Sequence, residues 1–549
     1  MKIYGAKLSN KNTLMYKAVT IILALYIKVK VLLQKLWYKN SASLLLLLTS
    51  FLASLTMAIP IFYVLWRSLF AGSQRWLRLL DTRIPMLLWN TLSLALFVTF
   101  FSIAIGVSLA FLIQRFDFPG RKLFSWLLAL PLLIPPYVGA VTYIVLLGPT
   151  GWLKSIWDTT FFNIYSFWGV SFVLIMFCFP YVYLITSSSL KKMSISFEEA
   201  GRIQGLCPTS VFLKVTLPLL KPAIGASGIL VFLYVLSDFG AISILRYNTF
   251  TSAIYYQMGS YDNLSASILS IVLISITLIV IWLEYLSRKK QKFYQSTRSN
   301  KNRELIKTRT FKWGVLTFTS VIFLLSTALP LLVLLYWSSY GIFTGALNSS
   351  FLGYLFNSFK VSTIASLVAM IVSLPVVYLS SRYSSLFTKT MYQLSYSGYA
   401  LPGVIVALSI IFIFNQYIPW LYNTFYLLSI AYIIRFLPQS MQSQNASLSQ
   451  VSLSIDEASK SLGYNTTKTL FKTIIPIIKP GILAGGALVF VSSMKELPAT
   501  LLLRPPGFDT LAVRIWVEAS EAMYYMAAPA ALLIVVLGII PLKIMLNKY

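Results

Sequence analysis

With 549 residues, 58% of them hydrophobic and 11% charged, the chain falls well below the roughly 25% charged residues of a soluble globular protein. Its mean hydropathy of +0.77 marks a polytopic membrane protein. The net charge of +30 argues little for nucleic acid, because lysine and arginine cluster between apolar runs, as positive-inside topology requires, instead of forming a soluble basic face. Histidine is absent and Cys178 and Cys207 are the two cysteines, which argues against a metal cluster or a disulfide framework.

In residues 1–40, Lys2, Lys7, Lys11, Lys17, Lys28, Lys30, Lys35 and Lys39 alternate with apolar residues such as Ile21, Ile22, Leu23 and Leu25. The pattern predicts a basic amphipathic arm on the anionic inner leaflet, with a first spanning helix as the alternative. No short apolar core with a small-residue cleavage site predicts a removable signal peptide. Apolar runs of about 20 residues, the length that crosses a ~30 Å hydrocarbon layer, follow at 43–66, 89–114, 122–147, 165–187, 221–245 and 265–285. A basic linker, 288–312, precedes further runs at 313–337, 355–380, 392–415, 421–437, 480–503 and 526–545. The expectation is an all-α polytopic membrane protein of about twelve spans in two six-helix halves, 41–287 and 313–549. Both termini are expected to be cytoplasmic. The linker, the arm and the loop with Arg115, Arg121 and Lys122 set that orientation, while Arg67, Arg75, Arg78 and Arg83 in one outer loop oppose it.

The halves repeat. Glu198-Glu199-Ala200-Gly201, then Gly205, Pro218 and Pro222, are matched 258 residues later by Asp456-Glu457-Ala458-Ser459, Gly463, Pro476 and Pro480. Asn90-Thr91 and Pro135 are matched by Asn357-Ser358 and Pro402 at a spacing of 267. Repeats of this kind are a transporter signature, with the substrate path where the halves meet. In each repeated segment, acids suit the start of a short helix and glycine its end, and the two prolines that follow are expected to interrupt the next helix.

These residues resemble the cytoplasmic loop of permease subunits of ABC-type importers, matching at Glu199, Ala200, Gly205 and Pro218 and at Glu457, Ala458, Gly463 and Pro476. The departures are Gly201 and Ser459, where alanine is commonest, and Thr473, which replaces an aliphatic residue. Asp238-Phe239-Gly240-Ala241 with Asn248-Thr249-Phe250, and Lys495-Glu496-Leu497-Pro498 with Arg504-Pro505-Pro506-Gly507, resemble the fused permeases of ferric iron importers. The resemblance covers nearly the whole chain after residue 40. It implies a type I ABC importer permease in the bacterial plasma membrane, the inner membrane of a Gram-negative cell. It also implies two copies of an ATPase subunit, which bind ATP and magnesium and receive the repeated helices as coupling helices. A soluble substrate-binding protein is implied at the outer face. The chain holds no Gly-Lys pair and so no Walker A loop of its own, and no cofactor is expected in it.

Asp238 and Glu496 are also 258 residues apart, each late in the span after a repeated segment. Two readings stand: a carboxylate pair flanking the path of a hard trivalent cation, or acids satisfied locally, Glu496 by Lys495 or Arg504. No metal ligands are assigned. The alternatives in function are another cargo for the same architecture (thiamine, a polyamine or an inorganic anion), a secondary carrier, and, least supported, an integral-membrane enzyme.

Overall fold

Lipid offers no hydrogen bonds, so each apolar run must satisfy its backbone internally, and it does so as helix. A computed structural model describes residues 43–546 apart from 160–161, 195, 290–304, 308–310, 346 and 348. The arm predicted over 1–40 and most of the linker lie outside the described residues. What is described of the linker includes Ile306–Lys307, which pairs in parallel with Phe116–Asp117. Each of the twelve predicted runs is helical over most of its length.

Among the described residues, eight helices are long and apolar enough to cross a membrane: Leu44–Leu69, Ile84–Arg115, Phe167–Lys191, Phe212–Ser237, Asn263–Leu283, Lys312–Phe343, Ser350–Arg382 and Thr466–Met494. The third run of each half is broken. Arg121–Leu133 and Pro136–Trp157 meet at 97°, and Leu386–Tyr396 is separated from Gly403–Tyr417 by a 3-10 turn. The cause is the matched proline: Pro135 (φ −58°, ψ 138°) and Pro402 (φ −56°, ψ 142°) sit extended at the start of the second helix of each pair. Proline cannot continue the hydrogen-bond ladder and pushes the preceding residue out of helical conformation.

A second expectation is corrected. Pro218, Pro222, Pro476 and Pro480 do not interrupt their helices, which run on through them. Immediately before the first proline of each pair lies a π-turn, Phe212–Thr216 or Leu470–Ile474, in which Leu217 N–H donates to Phe212 O and Ile475 N–H to Leu470 O. Widening the turn by one residue moves aside the carbonyl that the proline ring would strike, so the helix persists. The same device precedes Pro330, at Leu324–Ala328.

The described residues pack as two compact units, each drawing on both halves of the sequence. The larger holds the described residues of Ile59–Ser366, Gly398–Phe436 and Ala487–Tyr549. Its core includes Leu94, Val98, Val107, Val173, Leu236, Leu497 and Ile515. The duplication is visible here as hydrogen bonds. Asn90 Nδ2 donates to Asn248 O (3.0 Å) and Phe250 N–H to Thr91 Oγ1 (3.2 Å). Asn357 Nδ2 donates to Asp509 O (3.0 Å) and Leu511 N–H to Ser358 Oγ (2.8 Å). In both halves the residue pair at the start of the long second span therefore holds the beginning of a helix, Phe250–Gly259 or Leu511–Ser520.

The smaller unit comprises the described residues up to Ala58, Leu367–Ser397 and Leu437–Gly486. Its helices meet through small and polar residues, the usual means of association where lipid is as apolar as leucine. Ser373 and Ser440 share a hydrogen bond of 2.9 Å, Gln444 Nε2 donates to Met370 O at 3.0 Å, and Gly481 and Gly485 lie against Ser447 and Ser440.

Candidate functional site

The first repeated helix is Ser196–Ile203, in the larger unit. Glu198 and Gly201, three residues apart and hence on one face, are buried, whereas Glu199 and Ala200 are exposed and Ile203 is 86% exposed. The second is Leu453–Ser461, in the smaller unit. Asp456 and Ser459 are buried there, Glu457 and Ala458 are exposed, and Leu462 just past its end is 79% exposed. Each thus turns a glutamate, an alanine and a large aliphatic residue away from its own unit.

The termini are identical in kind. Gly205 (φ 81°) and Gly463 (φ 82°) adopt the left-handed conformation predicted for them. Leu206 N–H donates to Gly201 O and Gly205 N–H to Arg202 O, as Tyr464 N–H does to Ser459 O and Gly463 N–H to Lys460 O. That pair of bonds is the Schellman motif.

The inner faces hold charged residues that are not motif positions. Arg115, at the end of Ile84–Arg115, forks onto Glu198: Nε reaches Oε1 at 2.9 Å and Oε2 at 3.0 Å, and Nη2 reaches Oε1 at 2.9 Å. Thr216 Oγ1 donates to the same carboxylate at 3.2 Å. In the second half Arg382 Nε lies 3.1 Å from Asp456 Oδ2, and Tyr378 OH donates to Asp456 Oδ1 at 2.8 Å. Arg115 and Arg382 are 267 residues apart, the spacing of Asn90 and Asn357. In sequence, Glu199 and Glu457 match the family motif and Arg115 is one of several loop charges; the signal for the pairs is the acid that precedes each motif glutamate, with an arginine repeating at the established spacing.

The two departures in the second half, Ser459 and Thr473, pair with each other. Ser459 Oγ is bonded to Thr469 Oγ1 (3.0 Å) and Thr473 Oγ1 (3.1 Å). The matching residues of the first half are Gly201, Val211 and Val215, and the space for a Cβ on Gly201 is bounded by the two valine methyls at 3.4 Å. One half packs this joint with hydroxyls, the other with methyls.

Asp238 and Glu496 both lie in the larger unit, at corresponding helix breaks. Asp238 Oδ2 accepts from Ile242 N–H at 3.3 Å, and Glu496 Oε1 from Ala499 N–H at 3.2 Å. Each therefore satisfies the open first turn of a short helix, Gly240–Ile244 or Pro498–Leu503. Glu496 is ion-paired, but with Arg435 and not with the expected Lys495 or Arg504. Lys495 donates to Leu132 O at 3.0 Å, and Arg504 pairs with Asp509. Gly403 leaves room for the Arg435–Glu496 pair, since a Cβ there would strike both side chains.

A family profile described as "Binding-protein-dependent transport system inner membrane component" matches the chain twice, over residues 102–292 and 365–546, once in each half. The chain is 37% identical over 506 residues to the Fe(3+)-transport system permease protein FbpB 2 of Haemophilus influenzae, covering 91% of this chain and 97% of that protein. It is 27% identical over 452 residues to the ferric transport system permease protein FbpB of Actinobacillus pleuropneumoniae, covering 75% of this chain and 64% of that one. A probable sulfate transport system permease protein, cysT of Marchantia polymorpha, is 27% identical over 234 residues, 40% of this chain and 80% of that protein. On the strength of two family matches, one on each copy of a repeat whose caps and hydrogen bonds are also duplicated, the chain belongs to the binding-protein-dependent transport system inner membrane components.

Proposed function

We propose that the chain is the permease of an ATP-driven importer of ferric iron, receiving its cargo from a soluble binding protein and releasing it into the cytoplasm by alternating access. The energy comes from two copies of a separate ATPase subunit, which bind ATP and magnesium and seat the helices Ser196–Ile203 and Leu453–Ser461. The protein resides in the bacterial plasma membrane with both termini cytoplasmic. The observation that carries this reading is the outward face of the two helices: the matched pairs Glu199-Ala200 and Glu457-Ala458, with an exposed aliphatic residue at or just past each helix end, Ile203 and Leu462. Such a face is exposed on its own unit and has the composition of a docking ridge, an apolar residue flanked by a charge. Ferric iron as cargo is supported by the 37% identity that spans nearly all of a ferric permease.

Glu199→Ala with Glu457→Ala is expected to abolish co-purification with the cognate ATPase and ATP-dependent uptake of radiolabelled ferric iron into proteoliposomes, while the protein still inserts. Retention of both activities would sink the proposal. The partial likeness to sulfate permeases supports one second reading, an inorganic anion as cargo; uptake of labelled sulfate and not iron by the same preparation would select it.

A further inference from the structure

The buried pairs Arg115–Glu198 and Arg382–Asp456 use two of the chain's 15 acids in a protein that is 58% hydrophobic. Side-chain exposure is 6% and 5% in the first pair and 8% and 8% in the second. Stability is a poor reason to keep such pairs, because the desolvation of two charges commonly offsets their attraction, and well-packed apolar residues often serve as well. What the pairs supply instead is direction. Arg115 Nε is shared between both oxygens of Glu198, and Arg382 is held between Asp456 and the Val451 carbonyl; such multiple contacts to a planar guanidinium fix distance and angle together, which apolar packing does not.

Both pairs join the same two elements: the end of the long second span of a half and the inner face of its repeated helix. The chemistry persists although its details have diverged. Glu198 spans the gap itself and takes a further bond from Thr216. Asp456, one methylene shorter, meets Arg382 through one nitrogen and takes its second bond from Tyr378 on that same span, while Arg382 Nη2 also donates to Val451 O at 2.8 Å, just before the repeated helix. Three residues on, Ser459 is hydrogen-bonded to the segment that follows its helix, and Gly201 lies against Val211 and Val215 of the matching segment. Each helix thereby packs on its inner face against both the second span of its half and the segment that follows it, and its outer face is exposed.

We propose that Arg115 and Arg382 are positioning residues of energy coupling, acting through Glu198 and Asp456 as rigid struts that carry displacement of each repeated helix into the second span of its half. The proposal rests on the reading of these helices as ATPase docking elements. Without the strut, a push on the outer face bends the short connection into the helix and is lost before it reaches the membrane.

The test is the ratio of iron transported to ATP hydrolysed, in proteoliposomes holding the permease, its ATPase and the binding protein. Arg115→Met with Glu198→Met, combined with Arg382→Met and Asp456→Leu, replaces both pairs without leaving a buried charge. The variant is expected to bind the ATPase as the unaltered chain does, because Glu199, Ala200, Glu457 and Ala458 are retained, yet to transport about tenfold less iron per ATP, within the usual range of coupling energies. An unchanged ratio overturns the proposal. If the apolar variant does not insert, Arg115→Lys with Arg382→Lys asks the same question, since lysine keeps the charge and loses the planar, multiply bonded guanidinium: a lower ratio with ATPase binding intact supports the strut, and a ratio equal to that of the unaltered chain overturns it. Failure of the underlying reading is separable, because it would show in the unaltered chain as absence of ATPase binding.

Discussion

At the scale of single residues, the informative substitutions are those that separate two roles of one side chain. Asp238 caps a helix start and carries a charge; asparagine keeps the oxygen that Ile242 N–H needs and removes the charge. If the charge serves the substrate path, Asp238→Asn slows iron uptake by at least about tenfold, equivalent to ~1.4 kcal/mol in the barrier, with assembly unchanged; uptake at the original rate leaves Asp238 as a cap alone. The joint beneath each repeated helix offers a second case. Gly201→Ser places a hydroxyl against Val211 and Val215, where it has no hydroxyl partner from either valine, and is expected to cost about 1–3 kcal/mol. Adding Val215→Thr recreates the arrangement of Ser459 with Thr473 and should recover most of the loss, read as a double-mutant cycle on thermal unfolding in detergent.

At the scale of elements, glycine and proline mean different things at different depths of packing. The Gly225 position is open, with no atom within 4 Å of a built Cβ, whereas Gly485 faces the Ser440 backbone at 3.0 Å. Gly225→Ala should therefore be neutral or stabilise its helix by up to ~1 kcal/mol, and Gly485→Ala should destabilise by about 1–3 kcal/mol by forcing two helices apart. Unfolding midpoints of the two variants in one detergent compare them directly; equal shifts would contradict the packing. Proline shows the same dependence on context. Pro135 and Pro402 break their spans, while Pro218 and Pro476 do not, because a π-turn stands before each of the latter. A list of prolines does not reveal which will break a helix: Pro60, Pro180, Pro375 and Pro438 lie inside continuous helices with no π-turn before them.

At the scale of the whole molecule, the two sequence halves are repeats but not independent packing units. Within the larger unit, Lys495 of the second half donates to Leu132 O of the first, Tyr143 of the first bonds to Leu325 O of the second, and a Cβ on Gly538 would lie 3.0 Å from Leu133 Cδ2. Residues 1–299 and 300–549 made as separate chains are each expected to be degraded when expressed alone and to co-purify when expressed together; stable accumulation of either alone would contradict this. The membrane class, the twelve helical runs, the duplication and the glycine-capped repeated helices were legible in the sequence, because hydropathy, spacing and left-handed glycine are local properties. The outward placement of Glu199 and Glu457 beside the inward placement of Glu198 and Asp456 was not legible, and neither was the choice of Arg435 as partner of Glu496. Adjacent acids on a short helix look alike until something packs against one side of it. The sequence alone determined that this protein crosses the membrane as two related sets of helices. Tertiary structure alone decided which charges are sheltered and with whom they pair, because the energy of a charge depends on the groups brought around it from distant parts of the chain.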